Sequence, residues 1–145
     1  MTDESLGLGV MSHSLTDNSD SVKAIRKAYG DTILDAKLTA KTLILIFSDY
    51  ELLLTDEGQS CCEYRYMDTD DDLSDLFGTT LLALEINGER IHKKEGEDKY
   101  GEHHDVEFLD VKTDRGTLSI ANHNEHNGYY GGFSIEAQIR ERKND

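Results

Sequence analysis

The densest group of side chains able to do chemistry lies at residues 123–133, with the sequence His-Asn-Glu-His-Asn-Gly-Tyr-Tyr-Gly-Gly-Phe. Histidine can ligate a metal or transfer a proton, asparagine can hydrogen-bond amide or base edges, and tyrosine offers flat apolar area with a polar tip. Asn-Gly is a strong turn signal, and glycine lets the backbone approach a ligand closely, so the pattern predicts a loop. No motif in this segment specifies a reaction.

A second segment, residues 59–66, has the sequence Gln-Ser-Cys-Cys-Glu-Tyr-Arg-Tyr. Its arginine could form paired hydrogen bonds with a carboxylate or a phosphate. The candidate ligand-binding or partner-binding residues of the two segments are Cys61, Cys62, Tyr64, Arg65, Tyr66, His123, Asn124, His126, Asn127, Tyr129 and Tyr130. In the alternative interpretation the tyrosines only fill a tight turn, and the asparagines hydrogen-bond their own backbone.

Two cysteines and six histidines raise the question of a metal. Adjacent cysteines cannot bridge each other without strain, so reduced thiols are predicted rather than a disulfide framework. The candidate metal ligands are Cys61, Cys62, His123 and His126, but a zinc site needs about four nitrogen or sulfur ligands, and neither Cys-x-x-Cys nor His-Glu-x-x-His occurs. We therefore expect no cofactor, and a bound zinc ion or a metal-assisted hydrolase is the alternative.

The remaining residues do not specify catalysis either. Ser60 beside Cys61 permits a Cys–His pair without defining one, and no glycine elbow or phosphate-binding loop is present. Carboxylates are too abundant for any two to be singled out as an acid and a base. We assign no catalytic residue and expect a protein that is not an enzyme.

Composition limits the partners. The 30 acidic and 15 basic side chains give a net charge of −15, which disfavours direct nucleic-acid binding because lysine and arginine supply affinity for phosphate. An acidic surface serves either solubility or a basic partner. No run approaches the ~20 apolar residues of a membrane span, and the N-terminus lacks a basic region followed by an apolar one. We expect a cytoplasmic protein.

Hydrophobic periodicity predicts one domain between a disordered leader at 1–17 and a charged tail at 140–145. A helix is predicted from Ser19 or Asp20 to Gly30, and a second one after the acidic stretch at 69–72, ending at Gly78. Strands are predicted at 32–38, 41–47, 51–55, 105–112, 117–121 and 133–139, with loops at 56–66 and 87–105. Short turns between consecutive strands favour an α+β fold with mostly antiparallel strands.

The pattern of apolar residues occurs twice, which suggests an internal duplication. Residues 25–38 match residues 73–86 at a spacing of 48, and Leu52 and Leu54 match Leu118 and Ile120 at a spacing of 66. The predicted repeats are 18–66 and 69–139, each a helix, three strands and a loop. Chance similarity of short apolar strands is the alternative. Under duplication, the loops at 59–66 and 125–131 are equivalent, and we expect them to converge on a shared groove.

The double-cysteine loop at 56–63, the helix entry at 66–78 and the glycine-tyrosine loop at 123–133 together resemble a family of small uncharacterised bacteriophage and prophage proteins. The resemblance covers about residues 32–135. It implies a phage origin and no particular reaction.

These observations favour a non-enzymatic, phage-type accessory protein. Its two loops would bind a small nucleotide-like ligand or a basic host protein, with antagonism of a host defence as one such role. A virion or assembly component is a further alternative. A homodimer is also expected as one way to complete the sheet of a two-repeat unit by pairing its edges.

Overall fold

The computed structural model describes residues 19–56, 63–87, 103–126 and 135–142. The predicted leader at 1–17 lies outside these ranges, as do most of the predicted loop at 87–105 and the last three residues of the predicted tail. The described chain folds into one α-helix, one 3-10 turn and nine strands. The predicted α+β class with mostly antiparallel strands is confirmed.

The helix α1 spans Ser19–Ala28, as its apolar spacing predicts. Asp20 in its first turn and two basic residues in its last turn complement the helix dipole. Gly30 follows with a φ of 93°, a left-handed conformation that ends the helix at little steric cost. The helix packs on an edge strand, where Ser21 Oγ accepts a hydrogen bond from Ala137 N (3.0 Å). The helix thereby covers a sheet edge that would otherwise invite pairing with another chain.

The strands form two antiparallel sheets. In chain order they are β1 (Thr32–Ile33), β2 (Asp35–Leu38), β3 (Thr42–Ile46), β4 (Tyr50–Asp56), β5 (Glu63–Asp68), β6 (Thr79–Asn87), β7 (His103–Thr113), β8 (Gly116–His126) and β9 (Ile135–Glu141). One sheet has the order β1-β6-β7-β8-β5 and the other has the order β2-β3-β4-β9. Since β9 ends at Glu141, the predicted tail at 140–145 begins within a strand.

Two predicted elements differ from the structure. The second helix is a single 3-10 turn, Leu73–Leu76, because Asp72 caps it through a hydrogen bond from Ser74 N (3.0 Å) and Gly78 follows too soon for a longer helix. The single strand predicted at 32–38 is divided at Leu34, where the chain passes from pairing with β6 to pairing with β3.

The inner faces of both sheets and one side of α1 form a single hydrophobic core. Along β4, alternate side chains are buried, which is the pattern of a strand with one face on the core. Leu43, Leu45, Leu52 and Leu54 are fully buried. Burial of each such side chain stabilises the fold by about 1.5–3 kcal/mol.

The two sheets are tied together by strands that leave their neighbours in sequence. β5 follows β4 along the chain but pairs with β8, while β9 follows β8 but pairs with β4. This arrangement brings β5, which carries Tyr64, Arg65 and Tyr66, beside the strand that carries His123 and Asn124.

Candidate functional site

Strand pairing joins the described parts of the two candidate segments. In the register of β5 with β8, Tyr64 lies opposite Glu125, Arg65 opposite Asn124, and Tyr66 opposite His123. The prediction that these positions belong to loops was wrong, because both segments continue as strands before their glycines or cysteines are reached. Neighbouring positions on paired strands lie within side-chain reach of each other.

The strands divide the candidate residues between two faces. Arg65 and Asn124 are buried, whereas Tyr64 is 56% exposed and Tyr66 is half-buried. This alternation follows from the two-residue period of a strand. The single predicted groove is therefore split into an outward group, Tyr64, Tyr66 and His123, and an inward group, Arg65 and Asn124.

The outward group forms a stack of rings. Tyr66 and His123 lie nearly parallel, with ring centroids 4.4 Å apart and an interplanar angle of 6°. The Tyr64 and Tyr66 rings are 4.9 Å apart and tilted by 33°. Stacking of this kind stabilises a pair by about 0.5–1.5 kcal/mol beyond area burial. The result is a three-ring surface whose outermost member, Tyr64, is open to a ligand.

Two carboxylates border these rings. Tyr66 Oη donates to Glu125 Oε2 at 2.9 Å, and His123 Nε2 lies 3.0 Å from Asp68 Oδ1. Burial, the bond to Glu125 and the field of nearby acids, Asp68 among them, raise the pKa of Tyr66 above its usual value, so it stays protonated near neutral pH. We refer to Tyr64, Tyr66, His123, Asp68 and Glu125 as the aromatic face.

Sequence reasoning missed both carboxylates of the aromatic face. The signal was present, because Tyr64, Tyr66 and Asp68 alternate, as do His123 and Glu125. Assigning the segments to loops hid that periodicity. A strand assignment would have placed all five side chains on one side of a sheet.

Beneath the aromatic face lies a buried polar cluster. Arg65 Nη1 is 2.9 Å from Asp56 Oδ1, and the two residues are 6% and 4% exposed. The ion pair connects β5 in one sheet with β4 in the other. Glu107, Asn122 and Asn124 are also buried polar residues and share the inward side of these strands. Anchoring Arg65 inward fixes the register that turns Tyr64 and Tyr66 outward.

The structure bears only in part on the metal candidates. Cys61 and Cys62 lie outside the described residues, as do Asn127, Tyr129 and Tyr130, and only the backbone of His126 is described. Among the described side chains, no group of three or more His, Cys, Asp or Glu residues is arranged to hold a metal ion. His123 instead contacts Tyr66 and Asp68.

Fold and site define an antiparallel α+β protein with an aromatic, carboxylate-bordered face on two paired strands. The chain belongs to a family of domains of unknown function, DUF7448, whose family model matches residues 23–135. That match contains both β5 and β8. No curated protein and no solved structure matches the chain. Within the described residues, no helix has the length and apolar character needed to cross a bilayer.

Proposed function

We propose that this is a non-enzymatic binding protein and that its aromatic face binds a basic, arginine-containing segment of a partner protein. The observation that carries the proposal is the stack of Tyr64, Tyr66 and His123 between the carboxylates of Asp68 and Glu125. An arginine guanidinium stacks on aromatic rings and forms paired hydrogen bonds with carboxylates. The aromatic face offers both kinds of contact side by side.

The electrostatics favour a cationic partner over a nucleotide. Asp68 Oδ1 and Glu125 Oε2 already accept contacts from His123 and Tyr66, but within the described chain the second oxygen of each carboxylate accepts no hydrogen bond. These oxygens would repel the phosphates of a nucleotide-like ligand and attract a guanidinium. The net charge of −15 would also speed the encounter with a basic partner.

We also infer an internal duplication, which strand register supports. Ala36 pairs with Leu45 in one sheet, and Leu84 pairs with Val111 in the other. Leu84 follows Ala36 by 48 residues, and Val111 follows Leu45 by 66 residues. These are the two spacings found in the sequence, although hydrogen-bond register and apolar spacing are independent observations.

The junction of the sheets gives the duplication further support. Gly30 N donates to Leu81 O at 2.8 Å, and Gly78 N donates to Ile33 O at 2.7 Å. The two bonds exchange when the chain is shifted by 48 residues. Both glycines have a positive φ, 93° and 83°. Under this proposal, β5 and β9 are exchanged between the halves, so the aromatic face combines a strand of each half.

The wider role stays a proposal that rests on the resemblance to phage proteins. In that role the protein acts in the cytoplasm of an infected bacterium, and the basic segment belongs to a host protein, such as one that takes part in defence. A homodimer, a virion role and a metal site remain alternatives, and no contact among the described residues favours them.

The binding proposal is tested with a labelled peptide, Gly-Arg-Gly-Arg-Gly-Arg-Gly, acetylated and amidated at its ends, by fluorescence anisotropy with the full chain at low ionic strength. We expect saturable binding that weakens with salt. Tyr64→Ala should weaken it about threefold or more through loss of a cation–π contact. Glu125→Gln should weaken it about tenfold, since a hydrogen bond to a charged group contributes about 1.5–3 kcal/mol.

Glu136→Gln is the matched control, because Glu136 is an exposed carboxylate on β9 of the other sheet. It should leave the affinity within about twofold. Equal losses in Glu125→Gln and Glu136→Gln would reduce the effect to net charge and overturn the assigned face. Saturable binding of ATP that strengthens in Glu125→Gln would instead favour the nucleotide-like ligand.

A further inference from the structure

A cleft separate from the aromatic face lies between the 3-10 turn and the hairpin that joins β7 to β8. Its volume is about 460 Å³, within the range of small-molecule sites. It is lined by Asp71, Ser74, Asp75, Leu76, Phe77, Thr113, Arg115, Gly116, Thr117 and Leu118. This set contains charges of both signs, hydroxyl groups and an apolar wall.

Arg115 and Asp75 give the cleft its electrostatic character. Both residues are exposed, and within the described chain neither side chain forms an ion pair or a hydrogen bond. The hairpin holds Arg115 in place, since its backbone N–H donates to Thr113 Oγ1 at 3.0 Å. Asp75 belongs to the capped 3-10 turn, where its N–H donates to Asp72 O at 2.9 Å. An uncommitted cation and an uncommitted anion thus line one cleft from two anchored backbones.

The apolar wall is formed by Leu76, Leu118 and Phe77. Leu76 and Leu118 are buried, but Phe77 is 42% exposed. Its backbone is extended and is followed by Gly78 with a φ of 83°. Exposed large apolar side chains at a concave site are typical of ligand contact.

We propose that this cleft binds a free α-amino acid with an apolar side chain. The α-carboxylate pairs with Arg115, the α-ammonium pairs with Asp75, and the side chain packs on Phe77 and Leu76. A ligand with only one charge would leave Arg115 or Asp75 desolvated without a partner, which costs free energy. The presence of both charges therefore selects a zwitterion. This site does not depend on the proposed function of the aromatic face.

Isothermal titration calorimetry of the full chain with L-leucine and L-phenylalanine tests the proposal. We expect at least one of them to bind with one-to-one stoichiometry. Leucinamide or phenylalaninamide lacks the carboxylate, and the N-acetyl derivative lacks the ammonium, so each should bind about tenfold or more weakly than the parent amino acid. Absence of heat for both amino acids at millimolar concentration would overturn the proposal, as would equal affinity for the parent and its derivatives.

Variants locate the site. Arg115→Gln and Asp75→Asn should each weaken amino-acid binding about tenfold or more, while Lys41→Gln and Asp70→Asn, which change exposed charges outside the cleft, should leave it unchanged. Because Arg115 and Asp75 are exposed, all four variants should keep the wild-type circular dichroism melt. Binding that survives both cleft variants would place the amino acid elsewhere and refute the assignment. The end-blocked arginine peptide should bind these variants as it binds the wild type.

Discussion

At the scale of single residues, the protein treats its ion pairs in two ways. Arg65 and Asp56 are nearly fully buried, so each depends on the other for compensation of its lost hydration. The pair formed by His123 and Asp68 is different, because the Asp68 side chain is 61% exposed and water screens it. Burial, rather than the distance between charges, decides how much each pair contributes to stability.

Removal of the buried carboxylate should be far more harmful than removal of the exposed one. Asp56→Ala leaves the Arg65 guanidinium without this buried partner and should lower the free energy of unfolding by about 3–5 kcal/mol. Asp68→Asn should lower it by less than about 1 kcal/mol. Urea unfolding followed by circular dichroism gives both values, and equal losses would contradict the buried linkage between the sheets.

Phenol protonation makes stability depend on alkaline pH. Burial is the largest cause that raises the pKa values of Tyr29, Tyr50 and Tyr66, and hydrogen bonds to Asp31 and Glu125 raise those of Tyr50 and Tyr66 further. The folded state therefore keeps protons that the unfolded phenols, with a pKa of about 10, have released. This stability is complete below about pH 10 and is lost as the pH rises through the folded pKa values.

Thermal unfolding at pH 8, 9, 10 and 11 measures that dependence, and the Tm should fall most steeply above pH 10. The double substitution Tyr50→Phe and Tyr66→Phe removes two of the three shifted phenols and should flatten the decline. A wild-type Tm that stays constant to pH 11 would mean that these phenols do not retain their protons in the folded state.

At the scale of elements, local patterns predicted what local forces determine. α1, β3 and β4 follow from apolar spacing and from the glycine at the helix end. The pairing of β5 with β8 could not be read in this way, because no local signal states which distant strand completes a sheet. The aromatic face was therefore predicted as two loops rather than one surface. The same limit applies to Asp56, which sequence reasoning placed in a loop although it lies in the core as the partner of Arg65.

Gly30 and Gly78 occupy matching positions at the ends of α1 and the 3-10 turn. No atom lies within 4 Å of a Cβ built at either glycine, so only backbone conformation resists a side chain there. Gly30→Ala and Gly78→Ala should each lower the free energy of unfolding by about 1–2 kcal/mol, the cost of a left-handed conformation for alanine. Denaturant titration of both variants gives the comparison. A cost several times larger at one position would reveal a steric contact and remove the equivalence.

At the scale of the whole molecule, the crossed strands make each half depend on the other. β9 belongs to the second half of the chain, yet its partners are β4 and α1 in the first half. β5 belongs to the first half and completes the sheet of β8. Neither half can lose its last strand without exposing apolar surface in the opposite half. We therefore expect the domain to unfold in a single cooperative transition.

Truncation after residue 134 tests this dependence. It removes β9, uncovers the edge of β4 and deprives α1 of its packing surface, including the hydrogen bonds between Ser21 and Ala137. Cooperative unfolding should be lost from the entire chain, including the hairpin of β7 and β8, which does not contact β9. Truncation after residue 142, which retains all nine strands, is the matched control and should keep the wild-type transition. If hydrogen exchange still protected β7 and β8 in the shorter chain, the halves would be independently stable. The aromatic face would then depend on the pairing of β5 with β8 alone, rather than on an interlocked molecule.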